Sequence, residues 1–202
     1  MANPNLVNIV LVLDRSVNIA AVEANIITEI NALITAQKAA PGLKDAVVTL
    51  VKYDDLFEYV WKHIPLDDVP TLTADDFANR GRMAVQDAIG RGIVDVFDKY
   101  ATLDYLAQPG ITIFCIMSFG VDEISLTFRC SDYLKDRLDW QETEYSWEFR
   151  YWGTNQVADV EAAKFGIAAA DSHDFVNNAA GVQGAINGGA NSFDTEITVA
   201  RT

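Results

Sequence analysis

The sequence predicts an α/β fold: an open, mostly parallel sheet with helices on both faces and one antiparallel edge strand. Three observations carry that prediction. Two runs, residues 7–13 (VNIVLVL) and 111–117 (ITIFCIM), are nearly continuous in apolar residues and end on short polar ones, Asp14 and Ser118. Such runs suit central strands covered on both faces. Stretches of helical periodicity alternate with the strand-like runs, the pattern of crossover connections in a parallel sheet. One pair of strand-like runs is separated only by Asp54-Asp55, too short for a crossover and therefore a hairpin.

The elements follow in order. After residues 7–13, Ile19, Val22, Ile26, Ile30, Leu33 and Ile34 recur at spacings of three and four, one apolar helix face that ends at Pro41-Gly42. Residues 46–53 form a second strand. Residues 56–64 form a third, with Phe57, Tyr59 and Trp61 alternating against Glu58, Val60 and Lys62. Residues 65–79 are polar and irregular, and 83–100 are helical. The strand 111–117 precedes a polar helix over 130–143, a strand over 147–152 and a helix over 157–165. Beyond Gly166 the chain is rich in Ala, Gly and Asn, and Gly184, Gly188 and Gly189 weaken a helix there. No repeat or linker divides the 202 residues, so the expectation is one domain over 1–202, with 176–202 its least legible part.

Composition narrows the function. Half the residues are hydrophobic and 22% are charged, which is globular rather than disordered. The net charge of −14 repels phosphates and argues against nucleic acid as a partner; it reads first as a contribution to solubility and second as attraction to a basic partner surface. No run reaches the ~18 apolar residues of a membrane span. Cys115 lies inside a strand, and with only Cys130 beside it no disulfide scaffold is expected. The first residues lack a basic region followed by an apolar stretch, and no Asn-x-Ser/Thr occurs. The expected location is the cytoplasm, or a virion if the chain is phage-encoded.

Three segments in order carry a family resemblance: Asp14-Arg15-Ser16-Val17-Asn18, Gly81-Arg82-Met83-Ala84-Val85-Gln86-Asp87-Ala88-Ile89-Gly90, and Ser118-Phe119-Gly120-Val121-Asp122-Glu123. Later stretches, residues 149–156 and 162–167, add to it. Over roughly residues 6–175 the chain resembles the von Willebrand factor A (vWA) family, and within it the compact bacterial and phage members. In that family the three segments resemble Asp-x-Ser-x-Ser, a Gly-Gly-Thr helix start and a Thr-Asp-Gly turn. Together they build a metal-ion-dependent adhesion site. There an Mg²⁺ takes about six oxygens, and a partner carboxylate can complete its shell.

What the resemblance implies here is a damaged site. Asp14, Ser16, Asn18 and Ser118 remain as metal-ligand candidates. Met83 stands where the family has a Thr hydroxyl, and a thioether is a soft ligand unsuited to Mg²⁺. Phe119 stands where it has a second Asp. Asp122 or Glu123 could supply a substitute carboxylate. The expectation is therefore a metal site impaired or lost, with no cofactor, Mg²⁺ being the ion such a site would take. Asp14 can alternatively hold its loop through backbone N–H groups. Met83 and Phe119 either fill the vacated space or expose an apolar patch. Partner contact is assigned to Met83, Phe119 and Asp122.

Other chemistry fits less well. The first strand is not followed by a glycine-rich turn, and no phosphate-loop motif or Gly-x-Ser-x-Gly occurs. A phosphatase-like use of Asp14 lacks the second Asp, where Ser16 stands. His63, in the edge strand, and His173, in a polar loop, have no partner at ligand spacing. The expectation is a non-enzymatic protein-interaction module. The alternatives are a structural component of a larger assembly, such as a phage particle, with the edge strand 56–64 pairing to a neighbour, or a metal-dependent adhesion module.

Overall fold

The computed structural model describes residues 2–40, 45–129 and 131–188. Its strands are β1 (Asn3–Asp14), β2 (Val47–Tyr53), β3 (Phe57–Pro65), β4 (Pro109–Ser118), β5 (Trp147–Gly153) and β6 (Ser172–Asp174). They form one sheet in the order β3-β2-β1-β4-β5-β6, parallel except for the antiparallel β2–β3 edge pair. The helices are α1 (Glu23–Ala39), α2 (Val85–Ala101), α3 (Ser131–Tyr145), α4 (Ala158–Ala163) and α5 (179–188). The open, mostly parallel sheet is the one the alternation of elements predicts, and the fold is vWA-like, as the family resemblance implies. The Pro41-Gly42 stop, Cys130 and the chain beyond 188 lie outside the described residues.

Strand pleating divides the core into two layers. Ile9, Leu11 and Leu13 of β1, with Ile113, Cys115 and Met117 of β4, face α1 and α5. Val10, Val12, Phe114 and Ile116 face α2, α3 and α4. The Cys115 thiol is fully buried, and that burial pushes its pKa up to about 12, so it is an inert packing group. Residues 65–79 are less irregular than expected: Leu66, Val69, Leu72 and Phe77 are buried on the α1 side. Asn31 grips the segment by donating to Leu72 O at 2.9 Å and accepting from Leu72 N at 2.8 Å.

Three expectations need correction. The Phe57–Tyr59–Trp61 alternation breaks, because Val51 pairs with Tyr59 while Leu50 pairs with Trp61. One extra residue, Val60, is bulged, so Trp61 turns to the α1 layer while Phe57 and Tyr59 pack on the α2 layer. His173 lies on β6 rather than in a loop. The weakened helix near Gly184 does form, as α5, because Val182 and Ile186 are fully buried against the sheet and outweigh the glycines.

Candidate functional site

All three motif segments meet at the carboxyl end of the sheet, where parallel α/β sheets place their ligand sites. β1 and β4 are adjacent, with Leu13 opposite Met117, so Asp14 and Ser118 emerge side by side. α2 begins at the same rim, two residues after Met83.

Asp14 is fully buried. Its Oδ1 accepts from Ser16 N at 2.6 Å and its Oδ2 from Phe119 N at 3.0 Å. The carboxylate thus ties the loop after β1 to the loop after β4. Burial pushes its pKa up to about 6; the two amides and the Ser16 side chain pull it back, and Glu123 adds repulsion. Ser16 is also fully buried. Asn18 is half-buried in a single turn of 3₁₀-helix, Val17–Ile19, where its carbonyl accepts from Asn177 Nδ2 at 3.5 Å.

The two non-matching positions face opposite layers. Met83 is fully buried in the α2 layer, and its Sδ lies 3.3 Å from Ser118 Oγ. Ser118 Oγ also donates to Gly120 O at 2.8 Å. Phe119 is 1% exposed and packs in the α1 layer, edge-on to Phe175 with ring centroids 5.2 Å apart. Of the two readings of these residues, packing into the vacated space holds and the exposed apolar patch does not, so the partner contact assigned to Met83 and Phe119 is corrected. The vacated space is filled because an unfilled void forfeits packing contacts.

Asp122 is likewise engaged within the chain. Its Oδ1 accepts from Gln86 N at 3.3 Å and from Ser125 Oγ at 2.5 Å, and Ser125 Oγ accepts from Asp87 N at 3.0 Å. Together they satisfy two of the open amides at the start of α2, those of Gln86 and Asp87. Asp87 returns the arrangement by accepting from the amides of Leu126, Thr127 and Phe128 at 2.7–2.9 Å. Glu123 pairs with Arg82 at 3.1 Å.

Sequence reasoning missed a charge network beneath the rim. The buried Asp54 carboxylate lies 3.1 Å from Arg15 Nε and 2.9 Å from Arg80 Nε. Arg15 also pairs with Glu58, and Arg80 with Asp55 at 3.0 Å. Gly81 completes this corner at φ +70°, where a Cβ would strike the Asp55 carboxylate. Arg15 inside the first motif was the available signal, since that position otherwise reads as a spacer.

What the rim does present is aliphatic. Val17, Leu56, Val121, Leu126, Val157 and Val176 are 47–80% exposed. They stand on the loops after β1, β4, β5 and β6 and in the β2–β3 turn. Among the described residues the other exposed large aliphatics are Val160, in the first turn of α4, and Leu106, at the opposite end of the sheet. Single exposed apolar residues are ordinary. Six on the loops of one rim concentrate exposed apolar groups at that end of the sheet.

No family profile matches the sequence, and no curated protein does so. Solved structures do share the fold. Proximal thread matrix protein 1 from the mussel byssus is similar at a TM-score of 0.61 and 10% identity, over 95% of this chain and 46% of that one. One structure of that protein has a zinc-occupied metal-ion-dependent adhesion motif. The pilus adhesin SpaC from Lactobacillus rhamnosus GG matches at a TM-score of 0.69 and 13% identity, over 95% of this chain and 30% of that one. The minor pilin PilB from Streptococcus sanguinis matches at 0.63 and 8%, over 95% and 62%. The chain therefore spans less than two thirds of each of these proteins, and at these identities the likeness is one of fold.

Proposed function

We propose that this chain is a non-enzymatic protein-binding domain that engages its partner through the carboxyl-end loops without a bridging metal. The observation that carries the reading is the aliphatic surface on those loops. Val17 and Val121 belong to the segments that resemble the family's first and third metal-site motifs, and Leu126 follows the third. The absence of a metal is supported by the donor set. Met83 and Phe119 supply no hard oxygen, Ser118 Oγ is turned to Gly120 O and the Met83 thioether, and the Asp14 carboxylate is committed to tying its two loops through backbone amides. That set does not fit a hard cation, which needs about six oxygens in a regular shell.

The test is affinity capture with two kinds of variant. Val121→Asp combined with Leu126→Asp should abolish capture of the partner while the melting temperature stays near wild type. Leu106→Asp, at the far end of the sheet, should leave capture intact. Retained capture by the rim variant would remove the reading.

A second reading, a component of a larger assembly, draws support from the byssus and pilin structures that share the fold. Its contacts would not run through strand pairing at the sheet edges. β3 is interrupted by two register shifts, with His63 at φ +51°, and β6 has only three residues, so neither edge offers a long flat strand for pairing.

A further inference from the structure

The carboxyl rim contains a cavity of about 490 Å³ between the β2–β3 turn and the first turns of α2. Its apolar walls are Leu56 and Phe57 on the hairpin side and Ala84, Ala88 and Phe128 on the helix side. The Phe128 ring lies directly over Gly90, where a Cβ would overlap it. The three amides held by Asp87 fix the segment that carries this ring.

The cavity's charge is predominantly negative. Asp54, Asp55, Glu58 and Asp87 line it, against one lining cation, Arg91. Arg15 and Arg80 reach Asp54, Asp55 and Glu58 from its surroundings, so three carboxylates meet two guanidinium groups, while Arg91 pairs with Asp95 at 4.0 Å and Asp87 is held by backbone amides. Asp55 and Glu58, with side chains 46% and 44% exposed, stand nearest to solvent. An ionised carboxylate has about four lone-pair sites, of which a bidentate guanidinium occupies two. Arg91 shows that the walls suit a cation: its guanidinium lies over the Phe57 ring, 4.8 Å from the centroid.

We infer that this cavity receives a lysine or arginine side chain from a partner protein. The apolar stem runs along Leu56 and Phe128, and the cationic head reaches Asp55 and Glu58. The long apolar stem with a charged tip matches apolar walls capped by carboxylates. The inference rests on the rim being the protein-binding surface, and it names the partner's chemistry. A rim that holds a metal ion selects a carboxylate. A rim with an excess of carboxylates, on a chain of net charge −14, selects a cation.

The test is an NMR titration of the ¹⁵N-labelled chain with four capped amino acids: the acetyl methylamides of lysine, arginine, norleucine and glutamate. The lysine and arginine compounds should shift signals at residues 54–58, 84–91 and 127–128 saturably. Glu58→Gln and Asp55→Asn should each weaken binding by about five-fold, as should raising the salt from about 50 to about 500 mM. The dispersion of each variant's own spectrum reports that it is folded. Absence of a saturable shift with the cationic compounds, or equal shifts with norleucine, would overturn the inference. A silent titration alongside loss of capture by the Val121→Asp, Leu126→Asp variant would discard the cation and leave the rim surface standing. Retained capture by that variant would discard the rim itself.

Discussion

Asp14 illustrates how a residue can keep its place in a motif while its chemistry turns inward. A buried carboxylate is stabilised by hydrogen bonds to its charged form, and Asp14 takes them from two loops at once. Burial still dominates, so its folded pKa, about 6, lies above the ordinary 3.8. A raised carboxyl pKa means that the folded state binds the proton more tightly than the unfolded state. The stability this supplies is fully present below pH 3.8 and is lost as pH rises through 6. The difference in unfolding free energy between wild type and Asp14→Asn should therefore shift toward wild type on acidification from neutral pH to about 4, by on the order of 2–3 kcal/mol. Denaturant titrations at several pH values measure it, and a flat difference would contradict the buried, raised carboxyl. Phe119 gives a second prediction at this scale. Phe119→Ala should cost about 3–5 kcal/mol, read from the denaturant midpoint, because the ring fills a closed space against Phe175. The sequence made the positions of Asp14, Met83 and Phe119 legible. It could not show their burial, because the side chain that covers Phe119 comes from Phe175, more than fifty residues further on.

Among the elements, the continuous apolar strands and the periodic helices α1 and α2 were readable because each carries a whole apolar face. The two register shifts in β3 were not readable. A bulge leaves composition unchanged and alters only which residues oppose which, so the Trp61 side chain changes face without any sign in the sequence. α5 was obscured for a different reason: its glycines lower local propensity, while its stability comes from Val182 and Ile186 in the core. The α2 wall of the rim cavity depends on Gly90, and this supplies a test. Gly90→Ala should destabilise the wild type by about 1–3 kcal/mol, because the added methyl meets the Phe128 ring. In a Phe128→Ala background the same change should be neutral or stabilising by up to about 1 kcal/mol, the ordinary gain of alanine over glycine in a helix. Equal effects in the two backgrounds, measured as a double-mutant cycle, would show that the ring does not rest on Gly90.

At the scale of the molecule, the fold gathers the working parts at one end. Parallel β1, β4, β5 and β6 all deliver their following loops to the carboxyl rim, and the hairpin turn joins them there. The exposed aliphatics and the acidic cavity share that end, while no helix among the described residues is long and apolar enough to cross a membrane. The chain's negative charge adds a long-range preference for basic surfaces that salt should screen. The central claim is that this rim is organised by internal contacts rather than by a metal. Thermal melting in MgCl₂ or MnCl₂, against NaCl of matched ionic strength, tests it most directly. A cation bound to the folded state at a hundred times its dissociation constant would add about 2.7 kcal/mol of stability. The expected result is an unchanged melting temperature. A rise with either metal that disappears in Asp14→Ala would contradict the account.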